Sequence, residues 1–167
     1  MLRWAARAGV PSVIRYGKSL AEPDGYPHED FRPGRWDRLT GGADLTLLAV
    51  GSMVPVALAA AELLEKRGVR AGVVSCPSVK PLDEEWLKSL AAQPFVTLEE
   101  HALQNGFGGS VARWCAEHGQ RAPLRMLGVP DRFIQHGSRS QLLTRLRLDA
   151  PSVAEDLADL MRRQKHE

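Results

Sequence analysis

Cysteine is scarce in this sequence: Cys76 and Cys115 are the two in 167 residues. A disulfide framework, which small secreted domains use in place of a large core, is therefore excluded, and so is a cysteine-rich zinc site. Aromatic residues make up 6% of the chain, too few to build the stacking platforms that single-stranded nucleic acids need. Charge of one sign is missing as well. With 22 Lys and Arg against 20 Asp and Glu, the formal net charge is +2, so no polyanionic partner is expected. No run reaches the ~20 apolar residues that span a bilayer. The longest quiet stretch, Val50 to Leu64, is interrupted by Ser52 and Pro55. The basic start, Met1 to Arg7, lacks the apolar core and cleavage site of a secretory signal. A cytoplasmic protein with neither nucleic-acid nor membrane partners is expected. The histidines show no H-E-x-x-H or H-x-x-x-H spacing, and no metal ligands are expected.

What is present reads as a globular domain. A hydrophobic fraction of 44% with 25% charged residues fits neither disorder nor collagen nor a coiled coil. The length suits one domain with a short extra segment. Met1 to Ala8 reads as a short helix and Val13-Ile14-Arg15-Tyr16 as a short strand, separated by a turn at Gly9, Pro11 and Ser12. Alone they are too small for a core, so residues 1–19 read as the end of a preceding domain. Residues 20–42, rich in Pro, Gly and acids, read as an interdomain linker laid on a surface through Tyr26, Phe31 and Trp36.

A regular alternation begins at residue 43 and runs to 167. Apolar runs predict strands over 45–50, 69–76, 95–98 and 124–127. Helical periodicity predicts helices over 53–67, 83–90, 107–118, 140–146 and 153–163, with Asp83 a candidate cap and Gly68 and Gly119 as stops. Strands alternating with helices imply an α/β domain, three layers α/β/α around a mostly parallel five-stranded sheet, one strand of which is free to run antiparallel. The loops after the strands form the expected functional rim. They include Gly51-Ser52-Met53, Pro77 to Lys80, Glu99-Glu100-His101 and Gly128 to Asp131.

Several residues on that rim carry chemistry. The glycines of Asn105-Gly106-Phe107-Gly108-Gly109-Ser110 open a helix. They either cradle an anion on backbone N–H groups or let the helix pack closely on its neighbour. Glu99 and Glu100, adjacent in a strand, point to opposite faces, whereas Glu99 and His101 share one if the strand continues. Such a pair serves acid–base chemistry or an interface network. In the loop from Asp131 to Gly137, Asp131 reads as a cap or pin, Phe133 and Ile134 as apolar anchors, and His136 as part of a constrained turn. Arg15, beside Gly17 and Lys18, offers a planar fork to a phosphate or carboxylate, or else an ion pair between domains. Cys76 before Pro77 reads as a small buried hydrophobe.

Four ordered motifs carry a resemblance. Val79-Lys80-Pro81-Leu82-Asp83, Val96-Thr97-Leu98-Glu99-Glu100-His101 and Gly106-Phe107-Gly108-Gly109-Ser110-Val111 resemble the C-terminal domain of the transketolase superfamily. The run Gly128-Val129-Pro130-Asp131-Arg132-Phe133-Ile134-Gln135-His136-Gly137-Ser138, with Leu148-Asp149-Ala150, is most similar to the 1-deoxy-D-xylulose-5-phosphate synthases. Those enzymes use thiamine diphosphate and Mg2+ to decarboxylate pyruvate and join the two-carbon unit to glyceraldehyde 3-phosphate. Their product feeds isoprenoid, thiamine and pyridoxal synthesis. By this resemblance, residues 1–19 end a pyrimidine-binding domain, and Arg15 takes the place of the arginine that contacts the acceptor's phosphate. No position matches the family's activating glutamate or metal ligands, so the resemblance assigns no catalytic or cofactor-binding residue. Glu99, Glu100, His101, Asp131 and His136 are left as interface or rim residues. The implied partner is the cofactor-binding domains or subunit of the same enzyme, in a homodimer or heteromer, with this chain structural and inactive alone. Tyr16-Gly17-Lys18-Ser19 departs from the family's usual Tyr-Pro-Arg-Gly. A fragment or subunit of a split transketolase, a 2-oxo acid dehydrogenase beta-like protein and a non-catalytic assembly module are the alternatives.

Overall fold

A computed structural model of the chain describes residues 1–17, 30–90 and 92–164. Lys18, Tyr26 and residues 20–29 of the expected linker lie outside the described residues. The elements in chain order are α1 (Leu2–Ala5), β1 (Asp37–Thr40), β2 (Leu45–Ala49), a 3-10 turn (Gly51–Met53) and α2 (Val54–Glu65). They continue with β3 (Ala71–Ser75), α3 (Glu84–Ser89), β4 (Phe95–Ala102), α4 (Phe107–Glu117), β5 (Leu124–Val129), α5 (Arg139–Arg145) and α6 (Ala150–Gln164). One five-stranded sheet has the order β1-β3-β2-β4-β5. The four inner and later strands are parallel, and β1 alone pairs antiparallel, with Asp37 opposite Ser75.

Two apolar layers sandwich this sheet. On one face α2 and α6 bury Ala57, Leu64, Val153 and Leu157 against Leu47, Val73, Val96 and Leu98. On the other, α3 and α4 bury Leu87, Val111 and Trp114 against Leu48, Val74 and Phe95. Strands β2 and β3 are buried along their whole length, as continuous apolar runs covered on both faces should be. Each fully buried Leu or Phe contributes about 1.5–3 kcal/mol relative to exposure.

Four expectations about the amino-terminal third are corrected. Residues 13–16 form no strand; Val13 and Tyr16 are exposed, and a run of this length has no ladder unless a neighbour supplies hydrogen bonds. The helix at the start is one turn, Leu2–Ala5. Within the stretch read as linker, Asp37–Thr40 forms the edge strand β1, and Trp36 is a core residue rather than a surface anchor. Trp36 packs edge-on against Phe107 at 5.5 Å and beside Trp86 at 5.8 Å. Its N–H donates to Asp83 Oδ2 at 2.9 Å and its indole Nε1 to the Ser78 carbonyl at 2.8 Å. Asp83 Oδ1 meanwhile accepts from Trp86 N at 3.0 Å, capping α3 as its position suggests. One buried carboxylate thus joins the segment before β1 to the start of α3.

Candidate functional site

Neighbouring strands β2 and β4 send their following helices, α2 and α4, to opposite faces of the sheet. The crevice outside their carboxyl ends is the switch point where open α/β sheets bind ligands. Three loops meet there. The turn after β2 supplies Ser52, the end of β4 supplies Glu99 to His101, and the connection after β5 returns to supply Arg139 at the first position of α5.

Strand β4 is longer than the sequence suggests and bulges near its end. Leu98 pairs with Leu127, yet Ala102 pairs with Val129, so extra residues on β4 are accommodated around Glu99 to His101. This bulge separates the three polar side chains. Glu99 turns inward and is 2% exposed. Its two carboxylate oxygens accept from the N–H groups of Phe107 and Gly108, each at 2.8 Å. The anion at the glycine-rich helix start is therefore the protein's own carboxylate, seated where unpaired N–H groups and the helix dipole favour negative charge. Glycine is required for this approach: a Cβ on Gly106 would fall 2.4 Å from Glu99 Oε2, and one on Gly108 would fall 2.6 Å from Thr97 Oγ1. The two readings of these glycines merge: the N–H groups at the helix start do cradle an anion, and close packing makes that anion Glu99.

The expected convergence of Glu99 with His101 does not occur. His101 is exposed, and its Nδ1 lies 3.1 Å from the Ala102 carbonyl. Asp131 and His136 are also exposed, and among the described residues neither makes a hydrogen bond or ion pair, so Asp131 pins nothing. Phe133, read as an anchor, stands fully exposed, and Ile134 is half-buried. The loop is held instead at its exit, where Ser138 and Gln141 form a reciprocal capping box at the start of α5.

Glu100 is the centre of the crevice. Arg139 Nε lies 3.0 and 2.9 Å from its two oxygens, and Arg139 Nη2 lies 2.7 Å from Oε2. Ser52 Oγ donates to Oε2 at 2.8 Å, and Arg139 Nη2 reaches the Ser52 carbonyl at 3.4 Å. Arg15 comes to the same residue from the amino-terminal segment, its Nη2 donating to the Glu100 backbone carbonyl at 3.3 Å. Burial alone would raise the Glu100 pKa. The hydrogen bonds from Arg139 and Ser52, with the charges of Arg139 and Arg15, outweigh it and hold the carboxyl below its usual value. The sequence does not single out Arg139 or Ser52 as site residues. Ser52 sits in a rim loop that the strand pattern marks, but Arg139 is 39 positions from its partner and nothing local announces it.

Elsewhere the rim is quiet. The Cys76 thiol is buried, and its desolvation, with Asp83 and Asp37 nearby, pushes its pKa well above the ordinary value; it has no thiolate character. Among the described residues no group of three or more His, Cys, Asp or Glu is arranged to hold a metal ion. The buried carboxylates, Asp83 and Glu99, are committed to backbone N–H groups. This donor set does not fit the magnesium and diphosphate end of a thiamine cofactor. Among the described residues no helix is long and apolar enough to cross a membrane.

Comparison with known proteins agrees with the topology. The family profile described as "Transketolase, C-terminal domain" matches residues 34–153. The 1-deoxy-D-xylulose-5-phosphate synthase of Aquifex aeolicus is 39% identical over 160 residues, covering 93% of this chain and 25% of that protein. The synthase of Rippkaea orientalis is 42% identical over 154 residues, covering 88% and 24%. The chain thus spans about a quarter of the length of the curated relatives it matches. Among solved structures, a split-gene transketolase in an inactive beta4 tetramer superposes with a TM-score of 0.73 at 34% identity, covering 83% of this chain and 47% of that one. Sheet order, matched residues and relatives agree: this chain belongs to the transketolase C-terminal domain family, and through it is associated with thiamine diphosphate-dependent enzymes.

Proposed function

We propose that the chain is the C-terminal portion of a thiamine diphosphate-dependent 1-deoxy-D-xylulose-5-phosphate synthase, which condenses pyruvate with glyceraldehyde 3-phosphate with loss of CO2. The observation that carries this reading is the extent of the similarity. At 93% of the chain it runs beyond residues 34–153 and must include Arg15. Cofactor and Mg2+ are held by other segments or a companion subunit, since the described residues do not fit them. The cofactor supplies the carbanion chemistry; this chain supplies a phosphate clamp and an assembly surface. Arg15 is suited to the clamp. Among the described residues its one hydrogen bond goes to a neutral carbonyl, so most of its five donors remain for a phosphate. The fully exposed Phe133 and the exposed Val79, on loops at the carboxyl ends of the strands, suit a face that a companion domain or second copy covers. A cytoplasmic location accompanies this reading.

Turnover tests it. The chain alone should neither release CO2 from pyruvate nor bind thiamine diphosphate tightly with Mg2+, and joined to its cofactor-binding partner it should support synthase activity. Detectable turnover by the 167 residues alone would overturn it. In the assembled enzyme Arg15→Ala should raise KM for glyceraldehyde 3-phosphate on the order of 10- to 100-fold and leave that for pyruvate nearly unchanged. Equal effects on both substrates would reject the clamp.

A second reading, a subunit of a split transketolase, is favoured by the superposition on the split-gene structure. The donor distinguishes them: a transketolase takes its two-carbon unit from a ketose phosphate and releases no CO2.

A further inference from the structure

We propose that Arg139 is a positioning residue that keeps Arg15 available to a phosphate by claiming the Glu100 carboxylate for itself. The inference rests on the phosphate-clamp reading of Arg15 and adds the device that makes the clamp work. Arg15 and Arg139 approach one residue from different parts of the chain. Arg15 bonds its backbone carbonyl at 3.3 Å, while Arg139 and Ser52 together occupy both carboxylate oxygens at 2.7–3.0 Å. Charge-assisted bonds of that length are strong, and the contact at 3.3 Å is a weak one. The arrangement is therefore selective. The guanidinium that must stay free gets a neutral, long tether, and the one that need not is given the charge.

A carboxylate left unclaimed beside Arg15 would be its strongest local competitor, because a carboxylate and a phosphate suit the same planar fork. Isolated surface ion pairs contribute little, but an arginine fork with a third donor on the same oxygen is the exception in which geometry matters. The side chains of Arg139 and Glu100 are 39% and 33% exposed, so the pair is only partly screened by water. Arg139 is also held in place from below. Ser138 accepts from Gln141 N at 3.3 Å and its own N–H donates to Gln141 Oε1 at 3.0 Å, which fixes the first turn of α5 on which Arg139 stands.

The test uses the assembled enzyme and steady-state kinetics. Arg139→Ala should raise KM for glyceraldehyde 3-phosphate about tenfold, the effect of diverting one charge-assisted hydrogen bond, with kcat and KM for pyruvate little changed. The double variant Arg139→Ala with Glu100→Gln removes the competitor and should return that KM to within about twofold of the parent. A merely structural role for Arg139 predicts the opposite, a double variant no better than the single one. Arg139→Lys, which keeps the charge and loses the fork, should give an intermediate rise and serves if the alanine variant does not fold. Failure of Glu100→Gln to rescue, or no change in the acceptor's KM in either Arg139 variant, overturns the inference. Arg15→Ala separates the two levels: if it leaves the acceptor's KM unchanged, the clamp itself is wrong.

Discussion

Glu99 shows how much can depend on one side chain. It carries a charge into a buried position, which is costly unless every lone pair is answered. Two backbone N–H groups answer it, and they belong to the first turn of α4. Glu99→Ala would leave those N–H groups buried without partners and should destabilise the fold by roughly 2–4 kcal/mol. Urea unfolding measures this, and a midpoint equal to that of the parent would refute the anchoring role. Strand alternation alone sends Glu99 and Glu100 to opposite faces. What parts Glu99 from His101 is the bulge in β4, which depends on pairing with a strand more than twenty residues further on and leaves no mark in the local pattern. Arg139 was hidden for a related reason: its meaning comes from a partner across the rim.

At the scale of elements, legibility followed burial. Strands β2 and β3 are apolar throughout because both faces are covered, and such runs are conspicuous. Strand β1 is different. Asp37-Arg38-Leu39-Thr40 has no fully buried residue, and charged, short edges of this kind are how sheets avoid further pairing. Next to Pro33 and Gly34 it reads as linker. Conversely, Val13 to Tyr16 has strand composition, and among the described residues no strand pairs with it. Asp83 is the bolt that holds the β1 region down, serving Trp36 and α3 at once. Asp83→Ala should cost about 1–3 kcal/mol, the value of leaving buried N–H groups unsatisfied. It should also speed amide exchange in residues 36–40 more than in β4. Uniform acceleration across the sheet would mean that β1 is held by something else.

At the scale of the whole molecule, stability in acid is tied to two carboxyls, Asp149 just before α6 and Glu100 on β4. Asp149 accepts from Ser152 N at 3.1 Å at the start of α6 and from Thr144 Oγ1 at 2.8 Å. A hydrogen bond from the Ser152 side chain is the main reason its pKa is lowered, with the Thr144 hydroxyl and the Ser152 N–H adding to it, against an opposing effect of burial. Glu100 is lowered too, its bonds to Arg139 and Ser52 overcoming desolvation. Carboxyls with depressed folded-state pKa values lend stability that is fully present above their unfolded values and disappears as pH falls through the folded ones. Unfolding free energy should therefore hold steady near neutrality and decline from about pH 4 downward. The double variant Glu100→Gln and Asp149→Asn should be less stable at pH 7 and show a shallower acid limb. Parallel pH profiles for the variant and its parent would exclude these two groups as its source.

The reversed direction of β1 has a practical corollary. Because Asp37 lies opposite the last residue of β3, the polypeptide enters the sheet from the end where Glu100 and Arg139 sit. Residues near the close of α6 line a cavity with Arg67 to Val69, just before β3 begins, so α6 closes at the far pole. Cargo spliced in just before Asp37 would crowd the crevice. The same cargo joined at the close of α6 would hang clear of it.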